Sequence, residues 1–397
     1  MLHFSYDYIC EMKMKESNMA ILVIVYKMNL KLIYFIMKMF PIHKNKIVLL
    51  SRQSNKPSLD FLLLEKALYS KHPHIEIVVL TKKLDQSFAG GIIYYFHTLR
   101  QLYHIATAKV CILDSYIIPI SILKHKKELK VIQLWHAMGA IKKFGYQTLD
   151  KEYGRKVKLS LLMNMHQNYD IIISGSEKMI PFFSEAFHVP KEKFRSYGLP
   201  KIDYIIQNEK LIKQKLFKKY PDLKNKKVIL YVPTFRVNKN NNLYRLCEYI
   251  DYSQYIFIMK QHPNDSNLIT DDRVTYFQNV SSLELLTAAD IVITDYSAIS
   301  IEAAALNKKI YFYVYDYEDY VAKNGLNIDL YSEFPGCVYG NPRDLIDAIE
   351  QNQYDISLVN NFRNKYVSDD GYSIEKITSL ILKFILENKQ EGKYEEI

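Results

Sequence analysis

Two successive series of short apolar, β-branched segments, each followed by residues at helical spacing, constrain this chain more than any other feature. The first series lies at 47–50, 76–80, 110–113, 131–134 and 171–173. After a Lys-rich stretch over 208–227 the pattern restarts at 228–232, 255–259, 274–277, 290–294 and 309–314. Continuously apolar runs of this length read as strands buried on both faces, and the helices between them require parallel crossovers. A restart means a second sheet, and 397 residues exceed one ordinary core. The reading is therefore α/β, with two doubly wound, Rossmann-like domains over 46–215 and 216–397. The apolar segment at 374–386 reads as a helix closing the second domain. Facing domains of this kind, an architecture of the glycosyltransferase-B type, hold ligands in a cleft at the carboxyl ends of their strands.

Residues 1–45 form a separate region. Between 19 and 40 the chain is apolar except for Lys27, Asn29, Lys31 and Lys38, and that spacing aligns the lysines along one side of a helix. The early lysine argues against a membrane span; a helix lying in the interface, lysines toward acidic headgroups, is expected. No small-residue cleavage pattern follows, so a removable signal peptide is not expected. The cysteines, Cys10, Cys111, Cys247 and Cys337, lie far apart without ligand spacing, which suits a reducing compartment. The expected location is peripheral, on the cytoplasmic side of the cell membrane. A net charge of +10 asks for an anionic partner, whether nucleic acid, acidic lipid or phosphorylated substrate. No nucleic-acid-binding motif is present, which argues against the first.

Chemistry-bearing residues cluster at strand ends. The strand at 131–134 runs into Trp135 and His136, with Gly139 to relax the turn, and Lys142 and Lys143 could meet phosphates or simply be solvated surface. A strand-end imidazole near its ordinary pKa can act as a general base, or it can simply bond a backbone carbonyl; the local sequence leaves both readings open. In the second half Lys260 and His262 follow the strand at 255–259, Arg236 ends YVPTFR, and Ser297 sits in a strand–turn–helix. Each could hold phosphate, and each also has a bland role as cap, solvated cation or structural histidine. There is no P-loop, GxGxxG or GxSxG pattern, and Asp271-Asp272 reads as solvated loop, so neither a metal nor a cofactor is implied.

In order, QLWHAMGAIKKFG, SGSEKMIPFFSEAF with SYGLPKIDYI, ILYVPTFR, IMKQHP, and DIVITDYSAISIEAAALNKKIYFYVYDYEDY with NGLNIDLYSEFPG span about 47–336. This series resembles the CDP-glycerol glycerophosphotransferase family, the teichoic-acid primases and polymerases of Gram-positive bacteria and related capsule enzymes. The resemblance implies transfer of a polyol phosphate from CDP-glycerol or CDP-ribitol to a lipid-linked polymer at an acidic membrane surface. It implies that His136 deprotonates the acceptor hydroxyl, which attacks the donor's β-phosphorus and expels CMP. His262 matches the second family histidine, and Arg236, Lys260 and Ser297 match donor-phosphate contacts. Gly198, Pro200 and Asp203 match a motif taken to shape the cleft wall. The chain departs from the family pattern at Ala137 for Gly, Ala298 for Ser and Glu302 for Asp, and Glu302 is kept as a substrate-binding candidate. The Ala-containing WHAMGAIKKFG is similar to the ribitol-transferring branch. Self-association into a homo-oligomer is left open.

Overall fold

The structure is a computed structural model that describes residues 3–85, 87–234, 236, 242, 245–260, 271–368 and 370–386, with side chains from residue 20 onward. Every anticipated strand segment forms a strand. The first sheet contains β1 (His43–Ser51), β2 (Glu76–Thr81), β3 (Ala108–Leu113), β4 (Lys130–Gln133), β5 (Ile171–Ser174) and a short β6 (Phe194–Ser196). The second contains β7 (Lys227–Val232), β8 (Tyr255–Met259), β9 (Val274–Thr275), β10 (Ile291–Thr294), β11 (Lys309–Tyr313) and a short β12 (Val338–Tyr339). Their orders are β2-β1-β3-β4-β5-β6 and β12-β11-β10-β7-β8-β9, with parallel pairing throughout. Ile47 to Leu50, Val110 to Leu113 and Ile229 to Tyr231 are wholly buried, as expected for central parallel strands covered on both faces. Strand order reverses between β1 and β3 and between β7 and β10, so the crevices where such sheets take ligands open at the carboxyl ends of these strands.

The helices that position the cleft are α1 (His3–Met37), α2 (Leu59–Lys71), α3 (Phe88–Thr107), α4 (Val157–Leu162), α5 (Pro200–Lys219), α6 (Ile299–Ala305) and α7 (Ser373–Leu386). Much of the Lys-rich stretch taken as a boundary belongs to α5. That helix opens with Pro200 in its first turn, buries Ile202, Ile205 and Leu216, and packs on both α2 and the helix Ser282–Ala288 of the second domain. It is a rigid bridge between the domains. The closing helix α7 packs on α2, β3 and α5, so the C-terminus crosses back to the first domain rather than closing the second. Asp203 of α5 accepts from the backbone N–H of Ser373 at 2.7 Å, and a Cβ at Gly198 (φ +73°) would stand 2.7 Å from the Ser368 carbonyl. Gly198 and Asp203 of the GLPKID motif therefore seat α7.

Helix α1 docks through a mixed side that carries Lys27 and Lys38 inward, opposite to the orientation expected for those two lysines. Lys27 Nζ donates to the Leu162 carbonyl at 2.7 Å, and Lys38 Nζ to the Lys124 carbonyl at 3.3 Å. Leu30 and Tyr34 are buried, and Tyr34 Oη lies 2.8 Å from His125 Nδ1. Tyr95 of α3 donates to Asn29 at 2.8 Å. The outward face carries Leu22, Val25, Met28, Leu32, Phe35 and Met39, all exposed, at the three- and four-residue spacing of one helix stripe. Phe88, Ile92 and Phe96 of the neighbouring α3 are exposed too. An apolar surface of this extent marks an interaction site. Lys27 and Lys38 instead donate to carbonyls of the protein itself, while Lys31 stays exposed.

Candidate active site

Three strand ends of the first domain build one wall. Gln133, wholly buried at the end of β4, donates to the Ser115 carbonyl at 3.1 Å and accepts from Trp135 N–H at 2.9 Å. These bonds hold Trp135 at φ 60°, a left-handed conformation that costs a bulky residue about 1–3 kcal/mol. The turn delivers His136. Its Nδ1 lies 3.2 Å from the Asp114 carbonyl just past β3 and 3.1 Å from the Gln53 amide just past β1. A proton on Nδ1 given to that carbonyl leaves the Nε2 lone pair free. Desolvation by the surrounding protein lowers the His136 pKa to about 4; the Asp114 bond opposes this, and Lys201 and Lys142 reinforce it. Solvent reaches the ring and screens part of the shift, and in either case the imidazole is neutral at pH 7. Gly139 serves close approach rather than an unusual φ. A Cβ there would stand 2.3 Å from Ile301 Cδ1 and 2.5 Å from Met179 Cε, so a side chain would have to displace the ends of both where this loop meets α6 of the second domain.

The opposite wall is organised by Asp295, wholly buried at the end of β10. Its carboxylate accepts from Thr234 N–H at 2.9 Å, Thr234 Oγ1 at 2.6 Å, Tyr296 N–H at 2.7 Å and Arg236 at 2.9 Å. Arg236 also pairs with Asp316 at 2.7 Å, donates to the Thr234 carbonyl at 2.9 Å, and packs its guanidinium on Tyr296 and Tyr320. Burial would lower its pKa, but Asp295 and Asp316 outweigh that and raise it. Most of its donors are thereby committed to bracing the β7 and β10 turns.

Lys142 approaches this group from the first domain. Burial lowers its pKa, the Asp295 charge partly restores it and Arg236 lowers it further. Its ammonium makes no hydrogen bond or ion pair among the described residues, so it is available to an anion. Lys142 pairs across the domain boundary with Leu326 as an isolated bridge, and Lys143 N–H donates to the Gly325 carbonyl at 3.0 Å. Both lysines line a cavity of about 520 Å³, together with Trp135, Arg155, Thr234 and Tyr320. Ser297 is half-buried, its Oγ 3.4 Å from the Ile299 N–H. Lys260 Nζ donates to the Phe277 carbonyl at 2.6 Å, and burial lowers its pKa. His262 lies outside the described residues.

The family model for CDP-glycerol:poly(glycerophosphate) glycerophosphotransferases matches residues 32–383. The chain belongs to this family. It is a polyol-phosphate transferase of the teichoic-acid type. It is 30% identical over 366 residues to a teichoic acid ribitol-phosphate primase of Bacillus spizizenii, covering 87% of this chain and 93% of that one. It is 32% identical over 306 residues to a teichoic acid glycerol-phosphate primase of Bacillus subtilis, covering 73% and 77%. Its fold superposes on a variant of the wall teichoic acid polymerase TagF with a TM-score of 0.74 at 18% identity, covering 95% of this chain and 98% of that one.

Residue-level reading of the transferase sequence missed the charge group that joins the two walls. Lys201, at the start of α5, donates from Nζ to the His136 carbonyl at 3.0 Å and to Glu302 of α6 at 2.7 Å. Its backbone N–H donates to buried Asp60 of α2 at 2.8 Å. Glu302, kept as a substrate-binding candidate, is therefore engaged in an interdomain ion pair beside His136. The ammonium pairs directly with Glu302, and the Asp60 charge acts on it from nearby. Lys201 is held charged by Glu302 and Asp60 against its desolvation, while burial pushes the Asp60 pKa up despite Lys201. Residues 60, 201 and 302 carry no shared local pattern, so only the fold reveals their meeting.

Proposed function

We propose that this transferase moves glycerol phosphate or ribitol phosphate from its CDP-activated form to a hydroxyl of a lipid-linked teichoic acid or related surface polymer, releasing CMP. The observation that carries this reading is a neutral His136, tied through Nδ1 to the Asp114 carbonyl, beside an interdomain cavity lined by Lys142, whose ammonium has no partner among the described residues. The acceptor hydroxyl gives its proton to His136 Nε2, and its oxygen forms a bond to the β-phosphorus. The bond from that phosphorus to the bridging oxygen breaks, and CMP leaves with the electron pair. Lys142 meets the charge that develops on the diphosphate, where a cation in a sheltered site is most effective. Lys143, Lys260, Ser297 and His262 are assigned to the donor phosphates. Arg236 supports them by holding the Asp295 turn, and Glu302 acts through Lys201. Purified protein given CDP-glycerol or CDP-ribitol with a lipid-linked acceptor is expected to release CMP only when acceptor is present. Silence with both donors defeats the proposal.

The same reading places the protein peripherally on the cytoplasmic face of the membrane, held by the outer stripe of α1. Fully burying one Leu or Phe side chain is worth about 1.5–3 kcal/mol. The pair Leu32→Ser and Phe35→Ser is therefore expected to weaken binding to anionic vesicles by at least about tenfold in co-flotation. Unchanged flotation would assign membrane contact to another surface.

A further inference from the structure

Two guanidiniums stand at the first-domain rim of the cleft without any carboxylate partner among the described residues. Arg52 directly follows β1, where its backbone N–H donates to Ser115 Oγ at 3.1 Å and its side chain to the Tyr116 carbonyl at 3.5 Å. Arg155 sits in the loop before α4. That loop is closed by Asp150 N–H donating to the Arg155 carbonyl at 2.9 Å, and Gly154 packs so tightly that a Cβ would stand 1.6 Å from the Thr148 carbonyl oxygen. The two guanidinium carbons lie 5.9 Å and 5.6 Å from the centroid of the same Tyr116 ring. Glu152 shares the cavity with Arg155, but it lies 3.6 Å from the Lys323 ammonium. Burial first and Arg52 second lower the Arg155 pKa, as happens when like charges are held together without a counter-ion.

We infer that Arg52 and Arg155 seat a phosphate of the acceptor, so that the hydroxyl offered to His136 comes from a molecule already carrying a phosphodiester or diphosphate. This inference rests on the proposed transferase reading. The path supports it at both ends. Arg155 is two residues from α4, whose Leu162 carbonyl receives Lys27 of α1, so the seat adjoins the element that would meet lipid. Gln53, the residue after Arg52, touches His136 Nδ1, so the seat also adjoins the base. Guanidiniums recognise phosphate through paired N–H donors, and two of them on one ring define a site rather than a diffuse charge.

The test measures binding by the full-length protein and its Arg52→Gln, Arg155→Gln and Arg155→Lys variants. The probes are glycerophosphoglycerol, a short-chain prenyl diphosphate disaccharide in detergent, and CDP-glycerol. Each Gln variant is expected to bind at least one acceptor probe about ten- to a hundredfold more weakly, with Lys intermediate, while CDP-glycerol affinity stays put and reports an intact fold. Loss confined to glycerophosphoglycerol identifies the polymer's phosphodiester as the occupant; loss confined to the prenyl probe identifies the lipid diphosphate. Equal affinity of wild type and variants for both acceptor probes overturns the inference, as does a parallel loss for CDP-glycerol, which would make this a donor site. Wild-type protein that binds an acceptor probe through these arginines yet never releases CMP refutes the transferase reading and leaves the seat standing.

Discussion

His136→Ala is expected to lower the rate of CMP release by about two to four orders of magnitude, the usual contribution of a positioned general base. Donor affinity should stay within a few-fold. The separation follows from geometry: the His136 ring is oriented by the Asp114 carbonyl of the first domain, with the Gln53 side chain beside it. The phosphate contacts proposed above are drawn chiefly from Lys142 and the second-domain turns around Asp295. An uncharged hydroxyl is a poor nucleophile, and no other imidazole of the described residues occupies this strand end. His166, also beside Trp135, is buried, and desolvation followed by the charges of Arg155 and Arg52 pushes its pKa down to about 3. It packs against Phe187 and lies 3.1 Å from Tyr169 Oη, so it does not replace the base. Single-turnover measurement with saturating donor reads the chemical step directly. Full activity in His136→Ala would remove the base assignment, and a matching loss of CDP-polyol binding would turn His136 into a donor ligand.

The sheets were legible because their central strands are buried on both faces and therefore carry uninterrupted Val, Ile and Leu, as at 47–50 and 110–113. The edges were not. Strands β6 and β12 have three and two residues, too few to show a pattern. Helix α5 was hidden by the lysines on its exposed side, although its buried residues at 202, 205 and 216 follow helical spacing. The N-terminal helix was legible as a helix with a lysine side and an apolar side, but which side meets the protein depends on the carbonyls of Leu162 and Lys124, far away in sequence. The same limit applies to the site. His136 and Lys142 announce themselves by motif and position, whereas the commitment of Arg236 to Asp295 and Asp316 depends on three turns brought together by the second sheet.

Lys201→Met is the sharpest test of how the domains are joined behind the base. Removing the ammonium leaves Glu302 without its ion-pair partner and the buried Asp60 without a nearby favourable charge, though Asp60 keeps the bond from the residue-201 backbone N–H. Breaking a buried, hydrogen-bonded pair from one side costs about 3–5 kcal/mol, so a clear fall in the denaturation midpoint is expected. The catalytic consequence has a definite sign. Lys201 disfavours the imidazolium form of His136, and without it the neighbouring Glu302 and Asp60 favour that form, so the His136 pKa rises. The base works only when neutral; activity is therefore present above its pKa and lost as pH falls through it, and the acid limb of kcat/KM moves to higher pH. The other charged groups close to His136 set the background. Asp114, whose pKa burial lifts to about 6, and Lys142 are unchanged by the substitution. The double variant Lys201→Met with Glu302→Met removes the unpaired carboxylate at the domain boundary and is expected to recover part of the stability. Its acid limb should stay displaced, because the cation facing His136 is still missing. A Lys201→Met protein with an unshifted acid limb would show that this ammonium holds the domains together without tuning the base.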